Sequence, residues 1–119
     1  MADSSGPIAI MFADMTGSTR LYDDLGNTAA IDVVSICLET LMKVVKQFRG
    51  TVIKTIGDEV MCSFPEAALA ALAASEMHFA MERLGEGKGA LVSGIQVKVG
   101  VHFGDVLEEG GDIFGDAVN

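Results

Sequence analysis

The sequence has no tryptophan, one tyrosine and six phenylalanines, so its core must be built mainly from aliphatic side chains. Basic residues are also few: 8 Lys and Arg stand against 17 Asp and Glu, which gives a net charge of −9. A nucleic-acid backbone and an anionic membrane surface both attract a basic protein face. The composition therefore argues against either as a partner.

Long apolar runs are missing as well. No stretch approaches the ~20 apolar residues that a membrane-spanning helix needs, so we expect no membrane insertion by this segment. The first residues, MADSSG, lack the basic start and apolar centre of a secretory signal. We interpret residues 1–6 as a disordered lead-in and 7–119 as one domain.

Cysteine is scarce, and neither copy belongs to a CxxC motif. Cys37 and Cys62 each fall within an apolar pattern. Isolated cysteines of this kind are most simply reduced and buried thiols, which is typical of a cytosolic protein. We therefore expect a cytoplasmic location.

Apolar residues make up 50% of the chain, and their spacing predicts a small α+β domain. The predicted strands are Pro7–Asp14, Thr51–Ile56, Glu59–Phe64, Ile95–Phe103 and Val106–Phe114. The predicted helices are Thr28–Phe48 and Glu66–Leu84, with turns or loops at Thr16–Thr19, Gly50, Gly57-Asp58, Gly85–Gly94 and Gly104-Asp105. The order β-α-β-β-α-β is that of a ferredoxin-like fold, an antiparallel sheet with both helices on one face.

Two aspartates stand out in this arrangement. Asp14 ends the first apolar run, and Asp58 lies in the turn between two strand patterns. If those runs form adjacent strands, both carboxylates reach the same edge of the sheet. Paired carboxylates there suit Mg²⁺ or Mn²⁺, ions that commonly carry the phosphates of a nucleotide. We interpret Glu59, the next residue, as a solvated turn residue.

Four short segments occur in an informative order. They are FADMTGST (Phe12–Thr19), GTVIKTIGDEVM (Gly50–Met61), VKVGVHFGDV (Val97–Val106) and DIFGDAVN (Asp112–Asn119). Together they resemble the catalytic domain of class III nucleotidyl cyclases, the adenylate and guanylate cyclase family. The resemblance implies conversion of ATP or GTP into a 3′,5′-cyclic monophosphate and pyrophosphate.

The resemblance also implies a metal and phosphate site. Asp14 and Asp58 match the aspartates that hold two Mg²⁺ or Mn²⁺ ions, and the carbonyl of Met15 would complete a metal's ligands. The backbone amides from Met15 through Thr16 and Gly17 to Ser18 would bind phosphate oxygens at the mouth of the first helix.

Base and ribose recognition follow from the same resemblance. Lys54 and Asp112 match the pair that recognises adenine, since an ammonium donates to adenine N1 and a carboxylate accepts from its amino group. We therefore favour ATP over GTP. Asn119 matches the asparagine that orients the ribose.

The family's sites form between two head-to-tail domains, and both halves of a site are present in this sequence. This implies a symmetric homodimer, with a fused or separate regulatory domain controlling it. The family has an arginine soon after this asparagine, and that arginine is not among these 119 residues. We therefore expect the segment to be truncated at its C-terminal end and assign the activity to the full domain.

Two alternatives remain at this point. A GGDEF-type diguanylate cyclase shares the topology and a first-strand aspartate, but Ile56 and Val60 depart from its hairpin signature. A cyclase-like module without catalysis, which binds a nucleotide or regulates an attached domain, is the other.

Overall fold

The computed structural model describes residues 6–88, 95–109 and 112–114, which contain five strands and three helices. The strands are β1 (Gly6–Thr16), β2 (Thr51–Ile56), β3 (Glu59–Phe64), β4 (Gln96–Glu109) and β5 (Asp112–Phe114). The helices are α1 (Ser18–Leu25), α2 (Asn27–Gln47) and α3 (Ala67–Lys88).

The strands form one antiparallel sheet in the order β2-β3-β1-β4-β5. The first four strands reproduce the predicted ferredoxin-like arrangement, with β1 and β3 at the centre. Residues of β5 lie within 8 Å of residues of β2, measured between Cα atoms. These two strands therefore lie near each other although they stand at opposite ends of the strand order.

Alternation along β1 separates two apolar layers. Ala9, Met11, Ala13 and Met15 face the helices and belong to the main core. Ile10 faces the other side, where it is fully buried together with Met61 of β3. The sheet is therefore apolar on both faces, which explains why the β1 sequence is an almost continuous hydrophobic run.

The helices cover one face of the sheet, as predicted. Helix α2 buries the positions that recur at helical spacing, among them Val34, Cys37, Leu41 and Val45. Helix α3 contributes small residues and Met77 to the same core. This packing fixes the helical side of β1 and leaves the ends of the strands for other roles.

Two elements differ from the sequence prediction. The short helix α1 was not predicted: it spans only two turns, and its apolar contacts are Leu21, Tyr22 and Leu25. Strand β4 continues through Gly104-Asp105, where a turn was predicted, because Gly104 and Asp105 pair with Ile8 and Pro7 of β1. Cross-strand pairing overrides the local turn preference of Gly-Asp.

The end of α2 also differs. Gly50 was predicted as the turn that ends this helix, but the left-handed residue is Arg49, with φ 68°. The Arg49 N–H donates to Lys46 O and the Gly50 N–H donates to Val45 O at 2.8 Å, the two bonds of a Schellman motif. Gly50 is required for space, because a Cβ there would lie 2.6 Å from Phe64 Cε1.

Helix α3 is longer than predicted. It continues past Leu84 to Lys88, through two of the glycines that were assigned to a loop, and residues 89–94 of that loop lie outside the described residues. Within the described chain, no helix combines the length and hydropathy needed to cross a membrane.

The two thiols are free and buried, as predicted. Burial raises the pKa of Cys62 to about 12 and also raises the pKa of Cys37. Both side chains therefore act as small apolar core residues at neutral pH.

Candidate active site

Asp58 lies at the tip of the β2–β3 hairpin. The two-residue turn is made by Gly57, with φ 60°, and Asp58 itself. Glycine at the first turn position accepts this left-handed conformation without a Cβ penalty. The turn therefore presents Asp58 beyond the last pair of the hairpin, Ile56 and Glu59.

Asp14 is brought to the same place by the pairing of β1 with β3. Asp14 is the register partner of Glu59, the residue directly after Asp58. Asp14 lies two residues before the end of β1, so the strand extends further than predicted. The adjacency of the two strands, on which the predicted metal site depended, is present in the fold.

Two hydrogen bonds attach the hairpin tip to the strand–helix junction. The Met15 N–H donates to the carbonyl oxygen of Asp58 at 3.2 Å. The Ser18 hydroxyl donates to Asp58 Oδ2 at 2.6 Å. Between them Gly17, with φ 92°, makes the sharp turn from β1 into α1. The Asp58 main chain and side chain are thus each held by one bond.

The local field is acidic. Partial burial raises the pKa of Glu59, and the neighbouring charges of Asp14 and Asp58 raise it further. Glu59 is half-buried and part of β3 rather than a solvated turn residue, which corrects the sequence interpretation. Three carboxylates that repel one another produce a negative potential that attracts a cation.

The donor set fits a hard divalent cation whose remaining ligands come from elsewhere. Asp14 and Asp58 offer carboxylate oxygen, which Mg²⁺ and Mn²⁺ prefer. Among the residues that the structure describes, no three Asp, Glu, His or Cys side chains are arranged to hold a metal ion. Mg²⁺ is commonly held by one or two carboxylates together with substrate phosphates and water, so two carboxylates suffice for such a site.

The predicted phosphate-binding residues lie directly beside this pair. Thr16 ends β1, Gly17 precedes α1 and Ser18 begins it. The first N–H groups of a helix have no partner within the helix and attract anions. The Thr16 hydroxyl is 3.4 Å from the carbonyl of Gln96, a weak contact that orients it toward β4.

The predicted base-recognition residues lie on the strands at the two edges of the sheet. Lys54 is an exposed residue of β2 that pairs with Met61, next to an irregularity in register after Val52. Asp112 is the first residue of β5, the strand that approaches β2. Residues of these two strands lie within 8 Å of each other, measured between Cα atoms, and Asn119 lies outside the described residues.

Lys98 is a neighbour of the site that sequence reasoning missed. It is the β4 register partner of Asp14, so Asp14 has Glu59 on one side and Lys98 on the other. The alternating sequence pattern of β4 does not distinguish Lys98 from its neighbours, because only the β1–β4 register decides which β4 residue lies beside Asp14.

The comparisons with known proteins agree on one family. The family model described as the adenylate and guanylate cyclase catalytic domain matches residues 1–119. A curated adenylate cyclase of Streptomyces griseus is 34% identical over 110 residues, which is 92% of this chain and 26% of that relative. The chain therefore spans about a quarter of the length of this relative.

Solved structures show the same fold. A crystal structure described as an adenylate/guanylate cyclase/hydrolase from Silicibacter pomeroyi is 33% identical, with a TM-score of 0.82, covering 99% of this chain and 68% of that one. A bacterial light-regulated adenylyl cyclase is 21% identical with a TM-score of 0.86, covering 99% of this chain and 38% of that one. At that identity the second likeness concerns the fold alone.

Proposed function

This chain belongs to the family of adenylate and guanylate cyclase catalytic domains, and from that membership we propose that the full-length protein converts ATP into 3′,5′-cyclic AMP and pyrophosphate. The observation that carries the proposal is the β1–β3 register, which places Asp14 beside the hairpin tip that holds Asp58. The family match favours this activity over that of a GGDEF-type diguanylate cyclase.

The reaction is an in-line displacement at phosphorus. The 3′-oxygen of ATP forms a bond to the α-phosphorus, the bond from that phosphorus to the bridging oxygen breaks, and pyrophosphate leaves with that oxygen. The hydroxyl proton passes to solvent. Bound Mg²⁺ or Mn²⁺, two ions per site, would lower the pKa of the 3′-hydroxyl and screen the phosphate charge.

The chain's own contribution is to hold the reactants. Asp14 and Asp58 would bind the metal, with the carbonyl of Met15 as a further ligand. The backbone amides of Thr16, Gly17 and Ser18 would bind phosphate oxygens at the start of α1. An acidic protein needs such cationic help, because its net charge of −9 repels a triphosphate.

Lys54 and Asp112 would select the base. Lys54 donates to adenine N1 and Asp112 accepts from the 6-amino group, whereas guanine presents the opposite polarity at both positions. The approach of β5 to β2 supports this assignment, since one base has to contact both strands. Asn119 would orient the ribose.

We place the complete site at the interface of a homodimer. Asp14 and Asp58 would come from one subunit, and Lys54, Asp112 and Asn119 from the other, so each dimer would have two sites. A regulatory domain, fused or separate, would control the approach of the two halves.

The direct test is cyclic AMP formation by the full-length protein with Mn²⁺ or Mg²⁺. We expect Asp14→Ala and Asp58→Ala each to reduce the rate at least about 100-fold, since each removes a metal ligand. Asp32→Ala is the matched control: it removes an exposed carboxylate of α2 that belongs to neither the hairpin nor the β1–α1 junction, and should leave the rate unchanged. Retained activity of the Asp58→Ala protein would contradict the metal assignment.

A further inference from the structure

We propose that Ser18 is a positioning residue whose hydroxyl orients the metal-binding carboxylate of Asp58. The inference rests on the proposed function, since it assigns a role toward the metal that Asp58 would bind. It goes beyond the backbone contact to phosphate expected at this position, because it concerns the side chain.

The burial of Ser18 sets it apart. Among the described residues it is the only polar or charged side chain that is buried, with 8% of its surface exposed. A buried hydroxyl without a partner is costly, so the group must be satisfied within the protein. Its partner is Asp58 Oδ2 at 2.6 Å, a short bond of the strong charge-assisted kind.

The usual role of a serine at a helix start does not explain this contact. The N-cap of α1 is Gly17, and no side-chain cap bond is made there. Ser18 is the first helical residue, and its hydroxyl donates across to the hairpin, 40 residues along the chain, rather than to its own helix. The hydroxyl therefore serves Asp58.

The bond has a direct chemical consequence for a cation. A carboxylate rotates about its bond to Cβ, and donation to Oδ2 holds one oxygen in place and leaves Oδ1 for another ligand. Donation by the Ser18 hydroxyl also offsets part of the repulsion between the carboxylate of Asp58 and the carboxylates of Asp14 and Glu59. Removal of a hydrogen bond to a metal-binding residue usually lowers metal affinity by about 10–100-fold.

The same residue connects two functions. The backbone N–H of Ser18 lies at the start of α1, where phosphate is expected, and its side chain holds the metal carboxylate. Because the hydroxyl is buried against Asp58, phosphate would contact Ser18 through the main chain only. Displacement of the α1 start would thus disturb the metal and phosphate contacts together.

The test is a Mn²⁺ titration of the full-length protein, followed by the electron paramagnetic resonance signal of free Mn²⁺. We expect Ser18→Ala to weaken Mn²⁺ binding about tenfold, and Ser18→Thr, which keeps the hydroxyl, to bind within about twofold of the original protein. Thr40→Ala is the matched control, because it removes a hydroxyl that donates to the Ile36 carbonyl at 2.9 Å within α2 rather than to the hairpin. A structural role alone would lower stability without changing Mn²⁺ affinity.

A second variant separates loss of the Ser18 hydroxyl from misfolding of the chain. Ser18→Cys keeps a side chain of similar shape with a weak donor, so it too should weaken Mn²⁺ binding while the chain stays folded. Mn²⁺ binding that is unchanged in a folded Ala or Cys variant would overturn the proposal.

The outcome for Asp58 separates this inference from the proposed function. If the unaltered protein forms no cyclic AMP, the proposed function fails. If it forms cyclic AMP but Asp58→Ala leaves Mn²⁺ binding and that activity unchanged, the metal assignment fails and the role of Ser18 fails with it. If Asp58→Ala abolishes both but Ser18→Ala binds Mn²⁺ normally, only the positioning role is wrong.

Discussion

Single residues in this protein serve local needs that composition does not reveal. Arg49 occupies the left-handed position after α2, while the adjacent Gly50 is needed for space against Phe64. Gly17 and Gly57, in contrast, have positive φ values at the two turns that frame Asp58. Glycine is thus required for backbone conformation at Gly17 and Gly57 and for close packing at Gly50.

Base preference is a prediction at this scale. Lys54→Glu together with Asp112→Cys should shift the preference of the full-length protein from ATP toward GTP, because the new pair presents hydrogen-bond groups that match guanine. The measurement is kcat/KM for each nucleotide, and the ratio should change by at least about tenfold in favour of GTP. An unchanged ratio would show that these two residues do not contact the base.

At the scale of elements, the β2–β3 hairpin and the β1–α1 junction form the site together. The Met15 and Ser18 bonds to Asp58 join them, and α1 was the element that the sequence did not predict. The α2–β2 connection contacts the opposite end of the hairpin. Gly50, between the end of α2 and the start of β2, packs against Phe64, the last residue of β3.

Gly50 gives a stability prediction for that connection. A Cβ at Gly50 would lie 2.6 Å from Phe64 Cε1 and 2.7 Å from Val45 Cγ1, and both side chains are in the core. We expect Gly50→Ala to lower the free energy of unfolding by about 1–3 kcal/mol, the usual cost of overpacking, as measured by urea denaturation.

Gly100→Ala is the control for this substitution. Gly100 lies in β4 with nothing within 4 Å of its Cβ position. The change should alter the free energy of unfolding by less than about 0.5 kcal/mol. Equal effects at the two positions would mean that close packing is not what requires glycine at residue 50.

At the scale of the whole molecule, the proposed homodimer divides each site between two chains. Asp14 and Asp58 would serve one half, and Lys54 and Asp112 the other. Two variants that are defective in different halves of the site should therefore complement each other when they form a mixed dimer.

Mixing two variants, each defective in a different half of the site, should restore activity. Asp58→Ala lacks the metal half of each site and Lys54→Ala lacks the base half, so a mixed dimer has one site with both defects and one intact site. With random exchange of subunits, about a quarter of the original cyclic AMP formation should return. Each variant alone, at the same total concentration, is the control, and no recovery after exchange would contradict the shared site.

The sequence by itself determined the order of the main strands and of the two long helices, the bounds of β2 and β3, the buried thiols and the family. These depend on local periodicity, on turn chemistry at Gly57-Asp58 and on motifs that lie close together in the chain. They also sufficed to select Asp14 and Asp58, because β1 and β3 had to be neighbours in the predicted fold.

The tertiary structure decided the features that depend on register and on packing across the chain. Only pairing with β1 carries β4 through Gly104-Asp105 and sets Lys98 beside Asp14. Only the fold places the hydroxyl of Ser18 on Asp58, since the two residues are 40 positions apart and no local pattern joins them. The physical reason is that a short hydrogen bond between distant residues depends on where whole elements pack, which local spacing does not specify.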